Sequence, residues 1–170
     1  AAATVSGNNL SDGQYGYAVY ALTTGPKTTI TGGSVTGFKM GAVINNATTG
    51  PAYSPSTLGL SSITMSGSSA TFEGGVVVYS TGSVTTDVIS MTVDNLTITG
   101  TGRGASNWGG MRFEDYSSVS GTRQDIDITA CTLSGNLNRG IHVRGLNALV
   151  DVATSTLTGN GSNANGTQDG

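Results

Sequence analysis

The chain has 170 residues, 10% of them charged and 27 of them glycine, with a formal net charge of −3. Its two lysines and five arginines form no basic stripe, which argues against a nucleic-acid binder, and no apolar run is long enough to span a membrane as a helix. The lone cysteine, Cys131, excludes an internal disulfide and cannot by itself build a metal cluster.

Two short patterns recur along the chain. One is an apolar residue followed, after four others, by a second: Val5/Leu10, Ile30/Val35, Ile63/Ser68, Val93/Ile98, Ile128/Leu133 and Val152/Leu157, with Ser68 the one polar member. Successive first members lie 25, 33, 30, 35 and 24 residues apart. The other pattern is a glycine that opens a short apolar-rich strand: Gly16-Tyr-Ala-Val-Tyr, Gly41-Ala-Val-Ile-Asn, Gly75-Val-Val-Val-Tyr, Gly110-Met-Arg-Phe-Glu and Gly140-Ile-His-Val-Arg. Periods of this length mark units that bury their apolar faces only against their neighbours. Valine and threonine favour strands, glycine, serine and asparagine punctuate them, and no dozen residues carry a helical apolar spacing.

Side chains alternate along a strand, so each pattern assigns its residues to a side. In the first strand of each unit Val5, Ile30, Ile63, Val93, Ile128 and Val152 point inward. Ala3, Thr28, Ser61, Met91, Ile126 and Val150, two residues earlier, join them. Two residues later come Gly7, Gly32, Met65, Asn95, Ala130 and Thr154, mostly small, where the chain turns a corner. Outward columns such as Thr4, Thr29, Ser62 and Thr92 give a hydrated surface. The glycine-led strand stacks Tyr17, Ala42, Val76, Met111 and Ile141 in one inward column and Val19, Ile44, Val78, Phe113 and Val143 in the next. Segments 46–59, 100–110 and 115–124 are expected as loops that widen a unit. The repeat makes residues 1–170 one domain, a segment or subunit of a longer rod.

The stretches SMTVDNLTITGTG (90–102), DIDITACTLSGNLNRGIHV (125–143) and ALVDVATSTLTGNGS (148–162) resemble coils of the right-handed parallel β-helix, the pectin-lyase-like superfamily. The resemblance implies an all-β solenoid of about five to six coils. It chooses no function, because that superfamily includes polysaccharide lyases and hydrolases, phage tailspikes, autotransporter passenger domains and surface adhesins. For an enzyme of the family, Asp94, Asp127 and Asp151, with Arg123, are the nearest equivalents of its carboxylates and base. Yet the Asn-Thr-Asp, Asp-Asp and Gly-His-Gly segments of polygalacturonases are missing. So are the Trp-x-Asp-His and Arg-x-Pro-x-x-Arg segments of pectate lyases.

The favoured expectation is a non-enzymatic, secreted or cell-surface rod, closest in character to surface and adhesin-type β-solenoids, that assembles end to end. A polysaccharide-binding or polysaccharide-degrading β-helix is the alternative. Low charge, abundant serine, threonine and glycine, and a start (AAATVSG) that suits a chain cut after small residues support secretion. Neither end offers an amphipathic helix or charged loop as a cap, which points to Thr4 and Val5 at one end and Val152 and Leu157 at the other as assembly ends.

Four further expectations concern sites. Arg112 and Glu114 on one unit and His142 and Arg144 on the next should form an exposed charged patch, with Glu114 across from Arg144. Asp127 and Asp151 fall at equivalent outward positions and repel unless a cation intervenes; calcium is the candidate, and no other cofactor is indicated. Trp108 is either a lid over a loop cluster or a platform for a sugar ring. Asn9, Asn46, Asn95, Asn160 and Asn165 begin glycosylation sequons, although such triplets arise often in a chain this rich in Asn, Ser and Thr.

Overall fold

The computed structural model describes residues 3–20, 28–47, 56–66, 74–81, 89–101, 109–115, 124–145 and 147–161; for 3–14, 19–20, 45–47, 56–57, 80–81 and 89 it describes the backbone alone. The described residues form thirteen β-strands in one parallel sheet that curls on itself, with no helix among them. Among the described residues no helix is therefore long and apolar enough to cross a membrane.

The first five passes of the chain each contribute to three faces, and the sixth, among the described residues, to two. On the first face β1 (Ala3–Tyr20), β2 (Thr28–Ala47), β3 (Ser56–Ser61), β6 (Ile89–Asp94), β9 (Gln124–Thr129) and β12 (Ala148–Ala153) pair in that order. The second face continues from β1 and β2 into β4 (Thr64–Ser66), β7 (Thr97–Thr99), β10 (Thr132–Ser134) and β13 (Thr156–Thr158). The third runs from β1 and β2 through β5 (Gly74–Thr81) and β8 (Gly109–Asp115) to β11 (Arg139–Arg144). The loops expected at 46–59, 100–110 and 115–124 are thus shorter than the sequence suggested, because Ser56–Gly59 is already strand in β3 and Gly109, Asp115 and Gln124 are strand ends.

Register confirms the expected columns except in the third pass. Val5 pairs with Ile30, Ile30 with Leu60, Leu60 with Val93, Val93 with Ile128, and Ile128 with Val152. On the second face the column is Leu10, Val35, Met65, Ile98, Leu133 and Leu157. The expected Ile63/Ser68 pair is therefore wrong by three residues, and Leu60/Met65 takes its place. Leu58, not Ser61, precedes it in the inward column, and Ser62, not Met65, follows it at the corner. Leu58, Leu60 and Met65 are all buried, so the apolar column runs without a polar break. The glycine-led columns stand as expected, Val76 against Met111 and Val78 against Phe113.

The corner has a conformational signature. Gly32, Ser62, Asn95, Ala130 and Thr154 all take left-handed backbone, with φ of 69, 56, 54, 52 and 50°. That region strains a residue with a Cβ, and hydrogen bonding to the next pass compensates it. Ser62 N–H donates to the Asp94 carbonyl and Asn95 N–H to that of Thr129, both at 3.0 Å. The residue after the corner stays inside: Ile63, Leu96 and Cys131 are each 1% exposed or less. Five positions beyond the first corner the chain turns left-handed again, and Gly37, Gly100, Gly135 and Gly159 occupy that second corner.

The glycines that open the third-face strands form a column of their own. A Cβ on Gly16 would lie 2.5 Å from the Gly41 carbonyl oxygen, one on Gly41 2.6 Å from that of Gly75, and one on Gly75 2.7 Å from that of Gly110. Close approach of backbone to backbone is what requires glycine here. Inside, Leu60, Met65, Val93, Ile98, Met111, Phe113, Ile128 and Leu133 are each exposed by 1% or less and belong to one continuous core.

Candidate functional site

Three features of the surface depart from the plain repeat. The first lies on the outer side of the first face. By register Thr29, Gly59, Thr92, Asp127 and Asp151 occupy one outward column, with Asp127 directly paired to Asp151 and both exposed. Gly59 takes the place expected for Ser62, which stands at the corner instead. Its missing side chain leaves a depression of about 280 Å³ walled by Thr29, Ser61, Thr92 and Asp94. Asp94 sits two residues off the Asp127 column, as expected, and accepts a 2.9 Å hydrogen bond from Thr129 Oγ1. Asp127 and Asp151 present two carboxylates on adjacent strands, but among the described residues no three metal-ligating side chains gather at one point. Arg123, expected beside them, lies outside the described residues.

The second feature is the charge cluster on the third face. Arg144 is the register partner of Glu114, and His142 that of Arg112, as the sequence suggested. The expected exposure is wrong for its centre. Glu114 is fully buried, and Arg112 Nη2 meets Glu114 Oε1 at 2.5 Å with only 13% of the arginine side chain exposed. His142 Nε2 stands 3.4 Å from the same oxygen, and the Arg112 guanidinium lies 5.7 Å from the centre of the Tyr79 ring. His142 is therefore half-buried rather than solvated. Burial pushes its imidazole below the ordinary histidine range, and Arg139 adds to the effect; Glu114 opposes it, while Arg112 and Arg144 reinforce it. Below the cluster, Gln124 Nε2 donates to the Glu114 carbonyl oxygen at 2.9 Å and Asn147 Nδ2 to Asp115 Oδ2 at 2.8 Å. A charged residue at an outward position reads as solvated, and only the packing around it shows otherwise.

The third feature is the edge formed by β11, β12 and β13. Each of these strands has a strand partner on one side only among the described residues. Val143, Val152 and Leu157 belong to inward columns, yet they are 45, 47 and 45% exposed, and Leu149 is 50% exposed. One strand further in, Phe113, Ile128 and Leu133 are at 0%. The apolar interior opens to solvent at this edge.

Polar bonding inside the second corner was not read from the sequence. Asn136, fully buried, accepts at Oδ1 from Thr101 Oγ1 at 2.7 Å and from Thr101 N–H at 3.1 Å, and donates through Nδ2 to Asn160 Oδ1 at 2.8 Å. Asn160 Nδ2 in turn donates to the Leu133 carbonyl oxygen at 2.9 Å. The Asn160 amide serves as a structural link between passes; the signal available was the polar Thr101, Asn136 and Asn160 directly after the corner glycines Gly100, Gly135 and Gly159. Asn95 remains exposed, its Nδ2 donating to Ser62 Oγ at 3.1 Å. Asn9 and Asn46 are placed by their backbones, in β1 opposite Ser34 and in β2 opposite Ser80. Trp108 and Asn165 lie outside the described residues. Cys131 is 1% exposed; its Sγ accepts from Leu96 N–H at 3.4 Å, and burial pushes its thiol pKa up.

Comparison with known proteins gives no match to a family model, to a curated protein or to a solved structure.

Proposed function

We propose that the curled parallel sheet is a right-handed β-solenoid of the pectin-lyase-like kind, and that it works as a secreted, non-enzymatic structural or adhesive rod lengthened by further copies. The handedness follows from strand twist, since crossovers between parallel strands of one sheet are right-handed in about 98% of cases. The observation that carries the functional reading is the open edge, where inward-column residues Val152 and Leu157 are 47 and 45% exposed while Ile128 and Leu133 beneath them are at 0%. An edge with unpaired backbone groups and an open apolar interior favours the addition of strands. Head-to-tail contact is heterologous, so it yields an open filament unless its rotation closes a ring. Low charge and a serine-, threonine- and glycine-rich composition suit an extracellular surface. Negative-stain microscopy and sedimentation of purified protein test the reading: filaments are expected, and a monomer at micromolar concentration that stays monomeric overturns it.

One observation favours a second reading, polysaccharide binding: the depression of about 280 Å³ at Gly59, lined by Thr29, Leu58, Leu60, Ser61, Thr92 and Asp94. It is large enough to seat part of a sugar ring. Gly59→Thr fills it, because a Cβ there meets only Thr29, at 3.6–4.0 Å. If oligosaccharide binding is measurable and is lost in that variant, the second reading gains. Release of reducing ends or unsaturated products from acidic polysaccharides would turn it into an enzyme reading, with Asp94, Asp127 and Asp151 as its carboxylates.

A further inference from the structure

From the register of the second face we infer that it binds ice: a regular grid of threonine and serine hydroxyls whose ligand is the prism face of hexagonal ice. This goes beyond the structural reading above and needs no filament.

The grid has two columns. Ser34, Thr64, Thr97, Thr132 and Thr156 stand opposite one another on successive passes, and so do Thr36, Ser66, Thr99, Ser134 and Thr158. Between the columns Val35, Met65, Ile98 and Leu133 point inward, each at 0% exposure, so the residues on either side of them point out. Passes differ in length from 24 to 35 residues, yet none of that variation falls on this face. Five residues separate the two left-handed corners in four passes: Gly32 to Gly37, Asn95 to Gly100, Ala130 to Gly135 and Thr154 to Gly159. Each strand also starts on the same bond. Thr97 N–H donates to the Ile63 carbonyl at 3.0 Å, Thr132 N–H to that of Leu96 at 2.7 Å and Thr156 N–H to that of Cys131 at 2.8 Å. Sheets stay flat through stacking and side-chain ladders, and short strands pinned at both ends have both.

Spacing decides the ligand. Neighbours within a column lie about 4.8 Å apart, and neighbours across the columns about 6.6 Å, two residues at the rise of a parallel strand. A rectangular grid of these dimensions is close to the one on which water oxygens repeat across the prism face of ice. Six of the eight grid residues on β4, β7, β10 and β13 are threonine. Its β-branch restricts the rotamer, so little side-chain freedom is lost when water orders against it. Thr64, Thr156 and Thr158 are exposed, and Thr97, Thr99, Thr132 and Ser134 half-exposed. Among the described residues the hydroxyls of these seven make no hydrogen bond within the chain. Thr36 Oγ1 and Ser66 Oγ stand 3.4 Å apart across one step of the grid.

Charge sets this face apart. No grid position is charged, whereas the first face carries Asp94, Asp127 and Asp151 and the third Arg112, Glu114 and Arg144. Ice is neutral, and a charged side chain laid against it would give up water that it holds strongly. The other outward columns also change chemistry from pass to pass, Gly59 to Thr92 to Asp127 on the first face and Val77 to Arg112 to His142 on the third. Among the described residues the second face repeats one chemistry at every step.

A single ice crystal grown into a dilute solution of the chain, labelled at its amines, should take the label on its prism planes, and a film of small crystals should resist coarsening. Thr97→Lys/Thr132→Lys puts two charges in the middle of the grid and should abolish both effects. Ser90→Lys, on the first face opposite Asp125, adds the same kind of charge elsewhere and should leave them unchanged. Variants are read only where their circular dichroism matches wild type, with the single Thr132→Lys in place of a double variant that does not fold. Wild type that labels no plane, or the basal plane alone, overturns the proposal without any variant. Label retained by a folded grid variant, or lost equally in folded Ser90→Lys, places the contact on another face and overturns it too. Retention on crystalline cellulose with no effect on ice also overturns it and gives this face to the polysaccharide reading.

Discussion

Adding one methyl group to the glycine column is a direct test of how closely the passes stack. In Gly75→Ala the new Cβ would lie 2.5 Å from Ile98 Cγ2, 2.9 Å from Ile98 Cδ1 and 2.7 Å from the Gly110 carbonyl oxygen. Ile98 is 0% exposed, with Met65 and Leu133 beside it in the second-face column, so it has little room to swing away. The carbonyl belongs to the backbone of the next pass and moves only if that pass moves. Overpacking of this kind costs about 1–3 kcal/mol. For a chain of this size each kcal/mol lowers Tm by roughly 2–4 °C, so a fall of about 4–8 °C is expected for a mid-range cost. Gly59→Ala is the control, since its Cβ meets Thr29 at no less than 3.6 Å. Alanine in a strand interior gains about 0.5–1 kcal/mol over glycine, so the control should hold or raise Tm. Thermal unfolding followed by circular dichroism reads both. Equal melting of wild type and Gly75→Ala, or equal loss in the two variants, refutes the claim that backbone approach, and not glycine's flexibility, fixes this column.

Asn136→Ala leaves the Thr101 hydroxyl and N–H without the partner described above, while Asn160 Oδ1 keeps the Asn136 N–H at 3.2 Å; it should cost about 1–3 kcal/mol for each buried group stranded, read as a fall in the urea midpoint. For His142, whose imidazole is held below its ordinary range, the unfolded chain protonates first. Stability should therefore be full above pH ~6.5 and fall below it by at most about 1.4 kcal/mol per pH unit, levelling once the folded state protonates too. His142→Gln should flatten that slope between pH 7 and 5. Asp151→Asn relieves the repulsion from Asp127 and should raise stability by about 0.2–1 kcal/mol at low salt, with the gain fading as salt is added. Calcium that stabilises wild type but not this variant would place the ion between the two carboxylates. Cys131 should resist a thiol reagent in the folded state and react only on unfolding, because it is buried and its thiol pKa is raised.

The parallel stacking was legible because repetition writes it several times over. Val93, Ile128 and Val152 each occur with their partners five residues on, and one correct pass predicts the next. The third pass was misaligned because Ile63 is itself an inward residue, the one after the corner, equivalent to Leu96 and Cys131. Two signals in the sequence would have corrected it. Leu60/Met65 keeps both members apolar, and a glycine follows the first member by seven residues at Gly37, Gly67, Gly100, Gly135 and Gly159. That glycine marks a left-handed corner wherever the structure describes it.

Burial of Glu114 was not legible, since alternation says which side a residue faces and nothing about what else packs on that side. The same logic locates the informative positions of this chain. Columns encode stacking, and any residue that fits its column says little more than that the pass is present. Gly59 in a column of threonine and aspartate opens a depression; Glu114, outward yet buried, gathers Arg112 and His142; Val152 and Leu157, inward yet exposed, mark an edge where the apolar interior meets solvent. At the edge the inward column itself is exposed. Covering Val152 and Leu157 in the way Ile128 and Leu133 are covered would gain roughly 1 kcal/mol each, as half of a full side-chain burial. A new row of backbone hydrogen bonds would add to that gain. The charge cluster is already paired within itself, Arg112 and His142 on Glu114, so the exposed inward column is the feature on which the proposed function rests.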